Sequence, residues 1–211
     1  MALNPDATGG APAVFLDKDG TVVENVPYNV DPAQLRFTSR AVAGLQWLAE
    51  AGYRMVMISN QPGVGLGLFD ERALARLQEA LMRRLAVHGV LLDGFYACTH
   101  APGLDPSRPG CTCRKPAPGL LLRAAEELHL DLSRSWMVGD ILDDVEAGRR
   151  AGCRTVMLDV GNETVWRTSP QRMPHHTAPD LLAAAWHITA ADGVAVATRT
   201  AARLPAAQPR P

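Results

Sequence analysis

Apolar residues along the chain gather into short blocks that alternate with longer stretches of helical spacing. Ala13 to Leu16 is a brief apolar run that stops at an acidic, glycine-containing turn. Residues 40–51 place Val42, Leu45 and Leu48 on one helical face, with Gly52 as the stop signal. Tyr53 to Ile58 has the pattern of a buried strand. Asp70 stands where it can cap a long amphipathic helix that carries Leu74, Leu77, Leu81 and Leu85 and ends by Gly89. Gly94 to Cys98, Trp136 to Val138 and Cys153 to Leu158 read as further strands. Pro118 to His129, Asp143 to Ala151 and Asp180 to His187 read as helices. Residues 99–115 hold too much proline and glycine for regular structure. Strands alternating with helices predict an α/β fold, a three-layer sandwich around a central, mostly parallel sheet. In such sheets ligands gather at the carboxyl ends of the strands.

The chain has 211 residues, 47% of them hydrophobic and 20% charged, which suits one globular domain with some surplus. The surplus is expected at the ends: a polar, small-residue leader over residues 1–11 and an alanine-rich tail over residues 190–211 flank a domain at 12–189. Lys and Arg number 21 against 22 Asp and Glu, so no basic surplus points to nucleic acid. No stretch approaches the roughly 20 apolar residues of a membrane span. The first residues lack the basic start and apolar run of a secretory signal. A cytoplasmic monomer without nucleic-acid or membrane partners is the expectation.

The polar chemistry falls just after the expected strands. Asp17-Lys18-Asp19-Gly20-Thr21 follows the first, and Ser59-Asn60-Gln61 closes the second. Arg114-Lys115 follows the irregular segment, and Gly139-Asp140 ends a later strand with Asp143 and Asp144 beyond it. In a parallel sheet these groups meet at one edge. Carboxylates crowded there cannot all stay ionised at low cost without a cation, and hard oxygen donors suit Mg²⁺. Asp143 reads as a charge at a helix start. Asp144 is open between a water-mediated metal contact and a role in orienting its neighbours.

In this order and at these strand ends, DKDGT, SNQ, RKP and GDILDD resemble the haloacid dehalogenase-like phosphatase superfamily, over about Ala13 to Leu158. The resemblance implies a Rossmann-like fold. It implies that Asp17 is the nucleophile that forms an aspartyl phosphate, and that Asp19 is the general acid and then the base for water. It further implies that Ser59 binds phosphoryl oxygens, with Asn60 and Gln61 in substrate contact beside it, and that Lys115 neutralises the phosphoryl group and Asp17. Mg²⁺ would be held by Asp17, the backbone carbonyl of Asp19, and Asp140. Ser59 stands where threonine is commoner.

Cys98-Thr99-His100 and Cys111-Thr112-Cys113 form a CxH…CxC pattern. Three thiolates and an imidazole suit a closed, structural Zn²⁺ site. The ten residues between the pairs hold three prolines and two glycines and would not order themselves, so a metal staple across residues 98–115 has physical sense. Cys153 is expected in the core, and neither His175-His176 nor the helix-end histidines 88, 129 and 187 are expected to bind metal. The segment CxH…CxCRKPxPG resembles one branch of the superfamily, the heptose bisphosphate and histidinol-phosphate phosphatases, which lack a large cap domain. That likeness implies a small phosphorylated sugar as substrate, with Asn25 and Tyr28 of the first loop touching it and Arg114 binding a second, distal phosphate. It favours removal of a 7-phosphate from D-glycero-D-manno-heptose 1,7-bisphosphate over histidinol phosphate, whose far end is cationic. A non-catalytic sugar-phosphate binder is the reading from another class. Ile141 departs from the branch, where lysine often follows the aspartate.

Overall fold

The computed structural model describes residues 10–103 and 110–196. Most of the expected leader, the middle of the cysteine loop and the end of the expected tail lie outside the described residues. The strands are β1 (Ala13–Leu16), β2 (Arg54–Asn60), β3 (Gly94–Cys98), β4 (Trp136–Gly139), β5 (Arg154–Leu158) and β6 (His176–Ala178). They form one sheet in the order β3-β2-β1-β4-β5-β6. Every pairing in it is parallel.

Alternate residues of β1 point to opposite faces, and both faces are covered. Val14 and Leu16 join one core cluster with residues of α1 (Ala41–Glu50), α2 (Glu71–Val87) and α5 (Leu181–Ala191). Ala13 and Phe15 join the other with residues of α3 (Gly119–Leu128) and α4 (Leu142–Ala151). This is the three-layer sandwich expected for apolar strands joined by amphipathic helices. No helix among the described residues is long and apolar enough to cross a membrane.

The helix boundaries follow local chemistry. Asp70 accepts from the Ala73 N–H at 2.7 Å, and Asp180 accepts from Ala183 at 2.8 Å, so both are working N-caps. Gly152 ends α4 with φ of 90°, where a side chain would be strained. Two boundaries and one strand depart from the expectation. Ala11 belongs to the fold rather than to a leader, since its N–H donates to the His129 carbonyl at 3.1 Å. The tail does not start at Ala190: α5 runs to Ala191, and Val194 and Val196 pack on the core beyond it. The edge strand β6 was not expected, because three residues reading His-Thr-Ala carry no strand pattern.

The switch from β1 to β4 puts the ends of both central strands side by side, with the Asp17 N–H donating to the Val138 carbonyl at 2.9 Å. The helix that starts beside Asp140 is held by close packing. A Cβ at Gly148 would lie 2.6 Å from Met137 Cβ and 2.8 Å from Thr155 Cγ2. Gly148→Val therefore forces α4 off β4 and β5. It should destabilise the protein by roughly 2–3 kcal/mol, as overpacking a tight core does. Urea denaturation reads this directly, and an unchanged midpoint would contradict the packing described.

Candidate active site

Five loops meet at the carboxyl edge of the sheet. The loop after β1 turns back on itself, the Val22 and Val23 N–H groups donating to the Lys18 carbonyl at 3.0 and 2.9 Å. Gly20 makes this possible with φ of 89°. A Cβ there would sit 2.2 Å from Asp140 Oδ2, so glycine is also required by the close approach of β4's end. A cavity of about 350 Å³ opens over these loops, lined among others by Asp17, Asp19, Asn25, Tyr28, Lys115 and Asp140.

Lys115 lies at its floor. Its Nζ donates to Asp17 Oδ1 at 2.5 Å and to the Ile58 carbonyl at 3.0 Å, and it lies 2.6 Å from Asp144 Oδ1. Burial alone would push the ammonium down, but the Asp144 and Asp17 carboxylates outweigh it and hold Lys115 above the usual lysine range. Burial, reinforced by the charge of Asp17, pushes Asp140 up to about 6 despite hydrogen bonds from Asn162 and Thr21. Asp144 is pushed up by burial too, and Lys115 holds it back. Oxygens of Asp17, Asp140 and Asp144 all lie within 4.8 Å of one another. Burial raises Asp19 as well, while its contact with the Lys18 ammonium works the other way.

Asn60 and Gln61, both cavity-lining, spend their side chains on the protein. Asn60 Nδ2 donates to the Lys115 carbonyl, and the Lys115 N–H donates to Asn60 Oδ1, each at 3.1 Å. This reciprocal pair clamps the backbone that carries the lysine. Gln61 Nε2 donates to Ser59 Oγ at 2.8 Å and to Asp19 Oδ2 at 3.0 Å. Ser59, near the end of β2, is 1% exposed. Asn25 and Tyr28 stand at the mouth, and Tyr28 is 52% exposed. Arg114 is not among the lining residues; its Nη2 donates to the His100 carbonyl at 2.7 Å.

The four side chains of the CxH…CxC pattern converge. Cys98 Sγ lies 3.4 Å from Cys111 Sγ and 3.3 Å from Cys113 Sγ, and His100 Nδ1 lies 3.2 Å from Cys113 Sγ. These sulfurs are far beyond disulfide length, about 2.05 Å. They approach the edge of a tetrahedron built on Zn–S bonds, about 3.8 Å. Burial raises Cys98 and also Cys113, the latter to about 12. Against burial, hydrogen bonds from Cys113 and from the Arg114 backbone pull Cys111 down to about 6. The Gly119 N–H donates to the Thr112 carbonyl at 3.0 Å, tying the cluster to the start of α3. Cys153 is buried in the core as expected.

Two partners of Asp140 stand outside the residues expected at the site. Thr21 Oγ1 donates to its Oδ1 at 3.0 Å, and Asn162 Nδ2 donates to its Oδ2 at 2.7 Å. Thr21 stands inside a motif and was findable there. Asn162 belongs to a loop with no chemical signature, and only the fold reveals it.

A parallel sheet with these acidic loops and a buried lysine at its switch point is the frame of a hydrolase, and the chain belongs to the haloacid dehalogenase-like hydrolases. A HAD-hydrolase-like family model matches residues 112–184. The chain is similar to a D-glycero-beta-D-manno-heptose-1,7-bisphosphate 7-phosphatase of Photorhabdus laumondii, 39% identical over 153 residues that cover 72% of this chain and 81% of that protein. The protein of the same name from Escherichia coli K12 is 38% identical over 149 residues, 70% of this chain and 78% of the relative. Among solved structures, the D,D-heptose 1,7-bisphosphate phosphatase from B. bronchiseptica complexed with magnesium and phosphate aligns with a TM-score of 0.70 at 28% identity, over 85% of this chain and 99% of that one.

The Asn60 clamp makes a prediction of its own. Asn60→Ala removes two hydrogen bonds worth about 1 kcal/mol each, so the variant should lose about 2 kcal/mol of stability. Asn60→Asp keeps the acceptor for the Lys115 N–H but sets a carboxylate oxygen against the Lys115 carbonyl, so it too should melt below the wild-type protein. Equal melting of all three would show that the clamp carries no load.

Proposed function

We propose that this protein is a phosphomonoester hydrolase that removes the 7-phosphate of D-glycero-D-manno-heptose 1,7-bisphosphate through an aspartyl phosphate on Asp17. The observation that carries the reading is the buried Lys115–Asp17 contact at 2.5 Å, with Asp19 and Asp140 lining the same cavity. An Asp17 oxygen attacks phosphorus, the ester P–O bond breaks, and the leaving alkoxide takes a proton from Asp19. Burial favours that role by keeping Asp19 protonated to higher pH than an exposed carboxyl. Asp19, now ionised, takes a proton from water as the water oxygen attacks phosphorus. The Asp17 carboxylate leaves, and inorganic phosphate and the dephosphorylated sugar are the products. Lys115 offsets charge on Asp17 and on the phosphoryl oxygens. Ser59 accepts from Gln61, which leaves its own O–H for a phosphoryl oxygen.

A divalent cation fits the acidic cluster: Asp17, Asp140 and Asp144 crowd together and burial drives Asp140 up, so ionising them all calls for positive charge beyond Lys115. Hard oxygen donors select Mg²⁺. Asp17, Asp140 and the Asp19 carbonyl would hold it, with Asp144 given to Lys115 instead. When bound, it supplies charge stabilisation of the phosphoryl oxygens. The sulfur cluster fits Zn²⁺, from the convergence of its four side chains and its donor set of three sulfurs and a nitrogen. Its role is structural, fixing the loop that ends in Arg114-Lys115.

The first loop would read the sugar through Asn25 and Tyr28, while Asn60 and Gln61 line the same cavity. We assign the distal phosphate to Arg114, which would exchange the His100 carbonyl for phosphate oxygens on binding. A soluble cytoplasmic monomer accords with a small phosphorylated metabolite as substrate.

Phosphate release from the β- and α-anomers of the heptose bisphosphate and from histidinol phosphate tests the proposal. Turnover should be highest on a heptose bisphosphate. Asp17→Asn should abolish it, a loss of at least about 10³-fold, as for removal of a covalent nucleophile. Arg114→Ala should harm the bisphosphate reaction far more than hydrolysis of a monophosphate. Preference for histidinol phosphate, or full activity in Asp17→Asn, would defeat the reading.

A further inference from the structure

The loop that follows β5 carries no motif, yet it reaches the acidic cluster. Asp140 is 2% exposed, and its two oxygens are held from opposite sides. Thr21 donates to Oδ1 from the first loop, and Asn162 donates to Oδ2 from the loop after β5. We propose that Asn162 is a positioning residue that orients Asp140 for the divalent cation and sets the affinity of the site for it. The inference rests on Asp140 being a ligand of that cation.

Asn162 is suited to this in kind and in place. A carboxylate oxygen has two lone-pair directions, so a hydrogen bond on one leaves the other for a cation. A neutral amide fixes the carboxylate without neutralising it, whereas a lysine in that place would compete with the cation. Lys115 is directed at Asp17 and Asp144 and leaves Asp140 to these neutral donors.

The amide is also anchored. The neighbouring Glu163 accepts from the Leu142 N–H at 2.8 Å through Oε2 and from the Val165 N–H at 2.8 Å through Oε1. Leu142 is the first residue of α4, two positions after Asp140. The loop is therefore strapped to the turn it serves: one residue caps the helix and the preceding one holds the carboxylate. Gly20 closes the space from the third side, since a Cβ there would lie 2.6 Å from Asn162 Nδ2. Outer partners of metal-binding carboxylates are typically worth about 10–100-fold in metal affinity.

The test titrates Mg²⁺ alone, without substrate, and reads thermal stability in the wild-type protein, Asn162→Ala, Asn162→Asp and Asp140→Asn. Asn162 is otherwise exposed, so its substitution leaves both cores intact. Asn162→Ala should raise the Mg²⁺ concentration for half-maximal stabilisation by at least about tenfold. Asn162→Asp sets a second carboxylate against Asp140. It should melt lower than wild type without metal and gain more from Mg²⁺, an opposite pair of effects that a merely structural residue would not produce. Asp140→Asn should lose the Mg²⁺ response. If it keeps that response, the assignment of Asp140 fails. If it loses the response while Asn162→Ala titrates like wild type, the role of Asn162 fails. Should the alanine variant not unfold cooperatively, the aspartate variant decides, and a Mg²⁺ response equal to wild type overturns the proposal.

Discussion

The Lys115 ammonium, 3% exposed, lies between the carboxylates of Asp17 and Asp144 at the floor of the cavity. Withdrawing these charges from water costs several kcal/mol per ion, and only good geometry with further hydrogen bonds offsets that. The Ile58 carbonyl supplies one such bond. Losing a single partner would leave a buried charge uncompensated, typically a loss of about 3–5 kcal/mol. The same contact keeps the lysine charged and holds one Asp17 oxygen, as the proposed mechanism requires. On the proposed mechanism, stability and reactivity at this edge share one arrangement.

Two pieces of backbone must arrive at fixed places for that arrangement to exist. The first comes from the cysteine loop. Cys98 ends β3, Cys113 stands two residues before Lys115, and the sulfurs lie 3.3 Å apart. Asn60 then grips the Lys115 peptide from the end of β2. The described end of that loop, residues 110–115, is thereby held to two neighbouring strands. The second piece is the turn from β4 into α4, which carries Asp140 and Asp144. Gly148 lets the helix pack tightly on β4 and β5, and the loop after β5 straps its first turn. The acidic edge is thus built from the sheet's switch point outwards.

Much of this was legible along the chain. The apolar runs at Ala13 to Leu16 and Trp136 to Val138, and the cap at Asp70, follow from short-range chemistry and stand where periodicity placed them. DKDGT and GDILDD were legible because several polar residues in one short run after a strand rarely arise from packing. The two halves of CxH…CxC were legible from their donor set. What escaped depends on contacts distant in sequence. Strand β6 is short and exists because β5 offers it an edge. Asn60 reads as a residue aimed at substrate, and only the fold shows its amide bonded to a peptide 55 positions away. Arg114 reads as a phosphate ligand from its neighbour Lys115, while the folded loop gives it the His100 carbonyl. Asn162 has no pattern at all, because one amide suffices to orient a carboxylate.

The central claim is that Asp17, set by Lys115, carries the phosphoryl group during turnover. An acyl phosphate is reduced by borohydride, which converts the phosphorylated aspartate to homoserine. The direct measurement is therefore to quench the full-length protein with borohydride while it turns over a heptose bisphosphate, and to locate homoserine by peptide mass spectrometry. Homoserine should appear at position 17 alone, and none when substrate is withheld. Efficient turnover with no modification at position 17, or with modification at Asp19 or Asp140 instead, would contradict the central claim.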